Sequence, residues 1–250
     1  MPSPPQWKSV IRFKDQDGHV LYGEPEDGSL TKATVYEGND LLSLTKTEKS
    51  AEIAEILAPY VPDTILCIGL NYKGHAKEAG SPTPAISTTR MNSHELCFVV
   101  SRDAKNVSVD EAPAYILGYT VGNDVSSRTW QAPDMCGGQF SYAKNFDAFC
   151  PIGPAIVSAA AVGDPRTLDI VTRRNGKAVQ SSNTSDMIFS VNEILSFLSQ
   201  GTTVPAGSLV MTGTPPGVAM FASKPPNFLK SGEVIECEIE KVGCLRNEFA

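Results

Sequence analysis

The chain has no run of 18 or more apolar residues, so no stretch of its 250 residues reads as a bilayer-spanning helix. It also lacks CxxC spacing. Its six cysteines, at 67, 97, 136, 150, 237 and 244, are scattered, and several lie in apolar runs such as Ile65-Leu66-Cys67-Ile68. That is the usage of small buried hydrophobes in a reducing compartment, not of a zinc site or a disulfide framework. Cys136 and Cys150 flank the chemically richest segment, where a reactive thiol is a further option. Basic residues are in deficit, with 21 Lys+Arg against 28 Asp+Glu, a formal charge of −7 and a pI near 5.0. Nucleic acid and anionic membranes both need a basic footprint, so neither is an expected partner. The opening Met-Pro-Ser-Pro-Pro has none of the apolar core of a signal peptide, and the expected location is cytoplasmic. What is present, 41% apolar and 20% charged residues, fits a globular protein with enough chain to bury a core.

Residues 1–62 read as a small N-terminal α/β unit and 63–250 as the larger domain. In the first, Val10–Phe13 and Val20–Tyr22 are strand-like around the Asp17-Gly18 turn signal, with His19 solvated in that turn. Thr34–Tyr36 is a further strand. Over Thr47–Leu57 the period changes, with Ile53, Ala54, Ile56 and Leu57 on one face, and predicts a helix closed by Pro59 and Pro62. In the larger domain Thr64–Leu70 and Glu95–Val100 read as buried strands, with 81–93 between them as loop. Ser108 and Glu111 form a capping box. Ala155–Val157 is strand-like. Leu168–Arg173 and Ala178–Gln180 form a hairpin about Asn175-Gly176, which supplies the two positive φ values of a type I′ turn. Val191–Gln200 is the best helix, with a capping box of Ser190 and Glu193, a staple of Phe189 on Ile194, and Gly201 as its stop. Val234–Glu240 alternates Ile235, Cys237 and Ile239 with Glu236, Glu238 and Glu240. The period of two puts those three carboxylates on the solvent face of a strand and argues against a metal cluster.

The chemistry concentrates between Gly118 and Lys144. A strand-like lead ends in Asp124, and a Gly- and Pro-rich loop follows to Lys144; the plain alternative is a turn cap and a solvated lysine. Upstream, KGHAKEAG reads as a short helix ended by Gly80, on which His75 and Glu78 share a face. A carboxylate beside an imidazole orients it and raises its basicity, as acid/base work requires, although an exposed pair is the ordinary reading. Glu95 opens one apolar strand and Asp124 closes another, which makes a site for a hard cation such as Mg²⁺ plausible. Ser208–Thr212 runs into Gly213-Thr214-Pro215-Pro216-Gly217, whose amides and Thr214 hydroxyl could meet an anionic substrate group.

Together CIGLNYKGHAKE, ELCFVV, GYTVGNDVSSR, GGQFSYAKNFDAFCPIGP, NTSDMIF, LVMTGTPPGV and the tail GEVIECEIEKVGCLRN resemble the fumarylacetoacetate hydrolase family, in wording closest to fungal members. The resemblance spans roughly 65–250. It implies an α+β fold, a mixed β-roll or β-sandwich with few helices, usually as a homodimer holding Mg²⁺ or Mn²⁺. It also implies cleavage of a C–C bond in a β-diketo acid of the acylpyruvate kind, or, on the same site, decarboxylation or tautomerisation of oxaloacetate-like acids. Residue by residue it assigns His75 and Glu78 to water activation, Glu95 and Asp124 to the metal, and Lys144 to the substrate oxygens. Arg128, Gln131 and Thr214 match substrate-contacting positions. The chain departs from the family where Ser93-His94-Glu95 replaces Glu-x-Glu, and it is shorter between Gly80 and Glu95. Loss of one carboxylate weakens a hard-ion site, and His94 could substitute only through a local irregularity, since adjacent strand residues face opposite ways. A family member that has lost metal catalysis and acts as a binding or tailoring subunit is the other reading.

Overall fold

The computed structural model describes residues 5–28, 30–80 and 93–250. β1 (Ser9–Lys14) buries Val10, Ile11 and Phe13 and turns at Gly18 into β2 (Val20–Pro25), with Arg12 opposite Tyr22. β3 (Lys32–Glu37) continues the meander. The helix expected over Thr47–Leu57 does not form. In its place β4 (Thr45–Glu52) pairs with β3, and β5 (Glu55–Leu57) pairs with β1, Phe13 opposite Ile56. Lys46, Glu48, Lys49 and Glu52 are exposed on an edge strand, where charge blocks further pairing. Ile53 and Ile56, which read as a helical face, pack with Phe13 and Ala33. The N-terminal unit is therefore built of strands alone among its described residues.

The larger part continues with β6 (Ile65–Cys67), α1 (Lys73–Glu78), β7 (Ser93–Val100), β8 (Ala104–Lys105), β9 (Ile116–Asp124), α2 (Pro133–Cys136), β10 (Ile152–Ser158) and α3 (Ala159–Val162). β11 (Asp169–Arg174), β12 (Lys177–Asn183), α4 (Val191–Leu198), β13 (Thr203–Val204), β14 (Leu209–Met211), β15 (Val234–Ile239) and β16 (Gly243–Glu248) complete it. The main sheet runs β4-β3-β2-β1-β10-β9-β7-β14-β6, with β5 also on β1, and its β14–β6 pair is parallel while the rest are antiparallel. A second sheet, β12-β11-β15-β16, closes over one face of it. Phe98, Tyr119 and Val121 of the first meet Ile170, Cys237, Ile239 and Leu245 of the second in one core. The opposite face of the main sheet buries Val10, Val99, Ile156, Leu209 and Met211. This is an α+β fold.

Several local expectations are met in detail. Asn175 and Gly176 have φ of 51° and 76° between β11 and β12. Ser190 and Glu193 make both capping-box bonds at α4. Ile235, Cys237 and Ile239 are buried on β15, while Glu238 and Glu240 are exposed and Arg173 donates to Glu238 at 2.8 Å. The six thiols are unbridged. The loop expected over 81–93 lies outside the described residues except Ser93, which opens β7. No helix among the described residues is long and apolar enough to cross a membrane.

Asn71 links the elements around the site. Its buried amide donates to the Thr212 and Phe189 carbonyls at 2.8 and 3.0 Å and accepts from the Phe189 amide at 2.8 Å. Asn71→Ala strips three backbone groups of their partner, and the expected cost is about 3 kcal/mol in urea denaturation.

Candidate active site

β9 is buried from end to end because it lies between β10 and β7 and under the second sheet, and its last residue is Asp124. The β7–β9 register pairs Ser93 with Asp124, His94 with Asn123 and Glu95 with Gly122, with no shift before Val99. Side chains alternate along a strand, so Glu95 and Asp124 belong to the same sheet face. Only 2% and 3% of their surface is exposed. Asp124 is no simple turn cap, and Lys144 is not solvated: its ammonium contacts the Asp124 carboxylate with 5% of its side chain exposed. A 3-10 turn, Tyr142–Lys144, delivers it there.

The second group stands on α1. His75 is fully buried and its Nδ1 lies 3.0 Å from Glu78 Oε2, so the exposed-pair reading fails. Burial pushes the imidazole pKa below its usual 6.5, and the Glu78 hydrogen bond pulls it back in part. At neutral pH the ring is uncharged. With Nδ1–H donated to Glu78, Nε2 carries the lone pair of a base. Phe221 lies against the imidazole, ring centroids 5.9 Å apart.

The Gly213–Gly217 turn joins the two groups in a way the sequence did not reveal. Its amides hold protein carboxylates: Gly213 N–H donates to Glu95 at 2.7 Å, and Gly217 N–H donates to Glu78 at 3.0 Å. Gly213 has φ of +93°, and a Cβ there would lie 2.9 Å from that of Asn71, so glycine is required. Thr214 is buried and its hydroxyl accepts from Gln180 Nε2 at 3.1 Å. Asp186, in the NTSDMIF stretch, accepts from the Gly74 amide at 3.0 Å and fixes the first turn of α1. Gln180, Asp186 and Phe221 are thus supporting residues that the sequence reading missed.

Arg128 donates to Gln131 Oε1 at 3.0 Å. Its Nε and Nη2, and Gln131 Nε2, are buried with no partner among the described residues. Such groups are expensive to leave unpaired. Cys150 is not a reactive thiol. Burial, with the charges of Asp124 and Glu95, pushes it up to about 12.

The profile described as fumarylacetoacetate (FAA) hydrolase, C-terminal, matches residues 84–250. The chain belongs to the fumarylacetoacetate hydrolase family. Among relatives, oxaloacetate tautomerase Fahd2a, mitochondrial, of Rattus norvegicus is 36% identical, with 89% of this chain and 81% of that protein covered. An uncharacterized protein of Archaeoglobus fulgidus is 41% identical, with 85% and 91% covered. Among solved structures, 2-hydroxyhepta-2,4-diene-1,7-dioate isomerase of Mycobacterium marinum superposes with a TM-score of 0.79 at 30% identity, covering 97% and 98% of the two chains. Fumarylacetoacetate hydrolase of Exiguobacterium antarcticum gives 0.76 at 29%, covering 96% and 98%. The alignment with the rat protein runs over 256 positions, more than the 250 residues of this chain, so that family member carries residues this one lacks.

Within this fumarylacetoacetate hydrolase family chain, a cavity of about 820 Å³ adjoins the site at Ser126, Arg128 and Gly217. A larger one, about 1070 Å³, lies between the N-terminal strands and Pro205–Ser208 and includes none of the site residues. Asp15, Asp17 and His19 also come together in the β1–β2 turn, but they are largely exposed and Asp15 is engaged with the Asp17 and His19 amides.

Proposed function

We propose that the chain is an enzyme that moves a proton between carbon and oxygen in a 2-keto acid bearing a second carbonyl at the β position, a keto–enol tautomerase. The carrying observation is the buried His75, held through Nδ1 by Glu78, on the same Gly213–Gly217 turn whose first amide holds the buried Glu95. Names among relatives and neighbours, tautomerase and isomerase, support the reading.

His75 Nε2 takes the proton from the carbon between the two carbonyls. Negative charge then develops on the carbonyl oxygens, where Lys144 and the N–H groups of Arg128 and Gln131 neutralise it. The same imidazolium returns the proton to oxygen, so atoms balance without water or an oxidant. The half-buried Phe221 beside the ring limits the access of solvent that would compete for that proton.

The donor chemistry fits a divalent ion: Glu95 and Asp124 are hard oxygen ligands on one sheet face, and Mg²⁺ uses one or two carboxylates together with water and substrate. When bound, Mg²⁺ or Mn²⁺ would polarise the keto-acid oxygens. Without a third carboxylate at position 93, and with Asp124 already in contact with the Lys144 ammonium and near Arg128, binding should be weak. Ser93→Glu places a carboxylate in register with Asp124. Calorimetry is expected to show Mg²⁺ affinity rising on the order of tenfold, and an unchanged affinity would refute the ligand assignment.

C–C bond hydrolysis of an acylpyruvate is the second reading, favoured by the same dyad, which could activate a water instead. The test is a panel of oxaloacetate and acylpyruvates, with enol absorbance and products followed together. Enol–keto conversion without cleavage supports the tautomerase, whereas release of pyruvate and a carboxylic acid from an acylpyruvate supports the hydrolase. A homodimer, a boundary at residue 62 and a cytoplasmic location belong to the proposal and are read by light scattering, limited proteolysis and fractionation.

A further inference from the structure

The cavity beside Arg128 is several times larger than a four-carbon keto acid requires. Its volume, about 820 Å³, falls in the range of pockets that enclose drug-sized ligands, about 300–1,000 Å³. One end touches the site through Arg128 and Gly217, whose amide holds Glu78. Phe228, Leu229, Ile235 and Phe249 also line it. Two of these, Phe228 and Leu229, are 42% and 37% exposed, so apolar surface stands open along the cavity.

The wall is held in place. Arg174 donates to the carbonyls of Asn227 and Phe228 at 2.7 and 3.0 Å, and pairs with Glu233 at 2.5 Å. Those bonds fix the loop that presents Phe228 and Leu229. They also pair Arg174 with Glu233, and with Lys177 as the further charged residue there, the rest of the lining that an entering group meets is mainly hydrocarbon.

We propose that this cavity receives an apolar substituent of the substrate, so that the chain acts on keto acids whose β-carbonyl bears a long alkyl or aryl group. The proposal rests on the keto-acid reading above. The occupant is part of the substrate because the cavity is continuous with Arg128, the cation beside Asp124.

The experiment is calorimetric titration of the protein with Mg²⁺ present, using oxalate as a head-group probe and 2,4-dioxo acids with acyl chains from acetyl to octanoyl. Affinity is expected to rise about fourfold for each added methylene until the cavity is filled. In Phe228→Asp and Phe249→Asp, both at the cavity edge, that gain should disappear. A flat series with oxalate still binding overturns the cavity assignment and leaves the keto-acid reading standing, and so does a gain undiminished in both variants. Failure of oxalate and every dioxo acid to bind overturns the keto-acid reading, and this proposal with it.

Discussion

Replacement of His75 by alanine is expected to lower kcat on the order of 10²–10⁴-fold, the usual contribution of a positioned acid/base group. Thermal denaturation of the variant separates that loss from unfolding. The pH profile gives the sharper result. His75 must be neutral to accept a proton, and burial sets its pKa below 6.5, so the acid limb of kcat/KM should lie below pH 6.5. Glu78 raises that pKa and Arg128 lowers it. Glu78→Gln should therefore move the limb to lower pH, even as it slows the reaction by releasing the ring. Arg128→Gln should move it the other way. Limbs that stay in place in both variants would mean that another group supplies the base.

Lys144→Met is expected to destabilise the fold by about 3–5 kcal/mol, because it removes the ammonium that contacts a buried carboxylate and leaves that charge in a low-dielectric setting. Asp124→Asn in the same chain should recover much of the loss, since the charge that needed the lysine is then gone. Urea denaturation of the single and double variants measures both. Equal stability of Lys144→Met and the parent would mean that Asp124 does not depend on Lys144, and the charge balance inferred for the site would be wrong.

What could be read from the sequence was what is encoded locally. The α4 capping box, the Asn175-Gly176 turn and the alternation of β15 are decided by residues two to four apart, and each is found as expected. Glu95, Asp124, His75 and Glu78 were legible as candidates because Asp124 ends β9, Glu95 lies near the start of β7, and His75 and Glu78 sit three residues apart on α1. The helix expected over Thr47–Leu57 failed for the opposite reason, since the chain there begins as β4, Thr45–Glu52. β4 is an edge strand with few apolar residues, and its state comes from pairing with β3, a non-local fact that no period of its own records. The same holds for the supporting bonds. Gly213 meets Glu95 across 118 residues, and Gly217 meets Glu78 across 139. The turn therefore reads from sequence as a cradle for substrate and is in fact the clamp that sets two carboxylates. Asn71 belongs to this class too, joined to Thr212 across 141 residues.

The central claim is that His75 moves a carbon-bound proton of a β-keto acid. Incubating the protein with oxaloacetate or an acylpyruvate in D₂O and following the C3 protons by NMR tests it most directly. The account predicts washout of the C3 signal well above the buffer rate with the parent protein, and at the buffer rate with His75→Ala. Washout that is equally fast in both would contradict it.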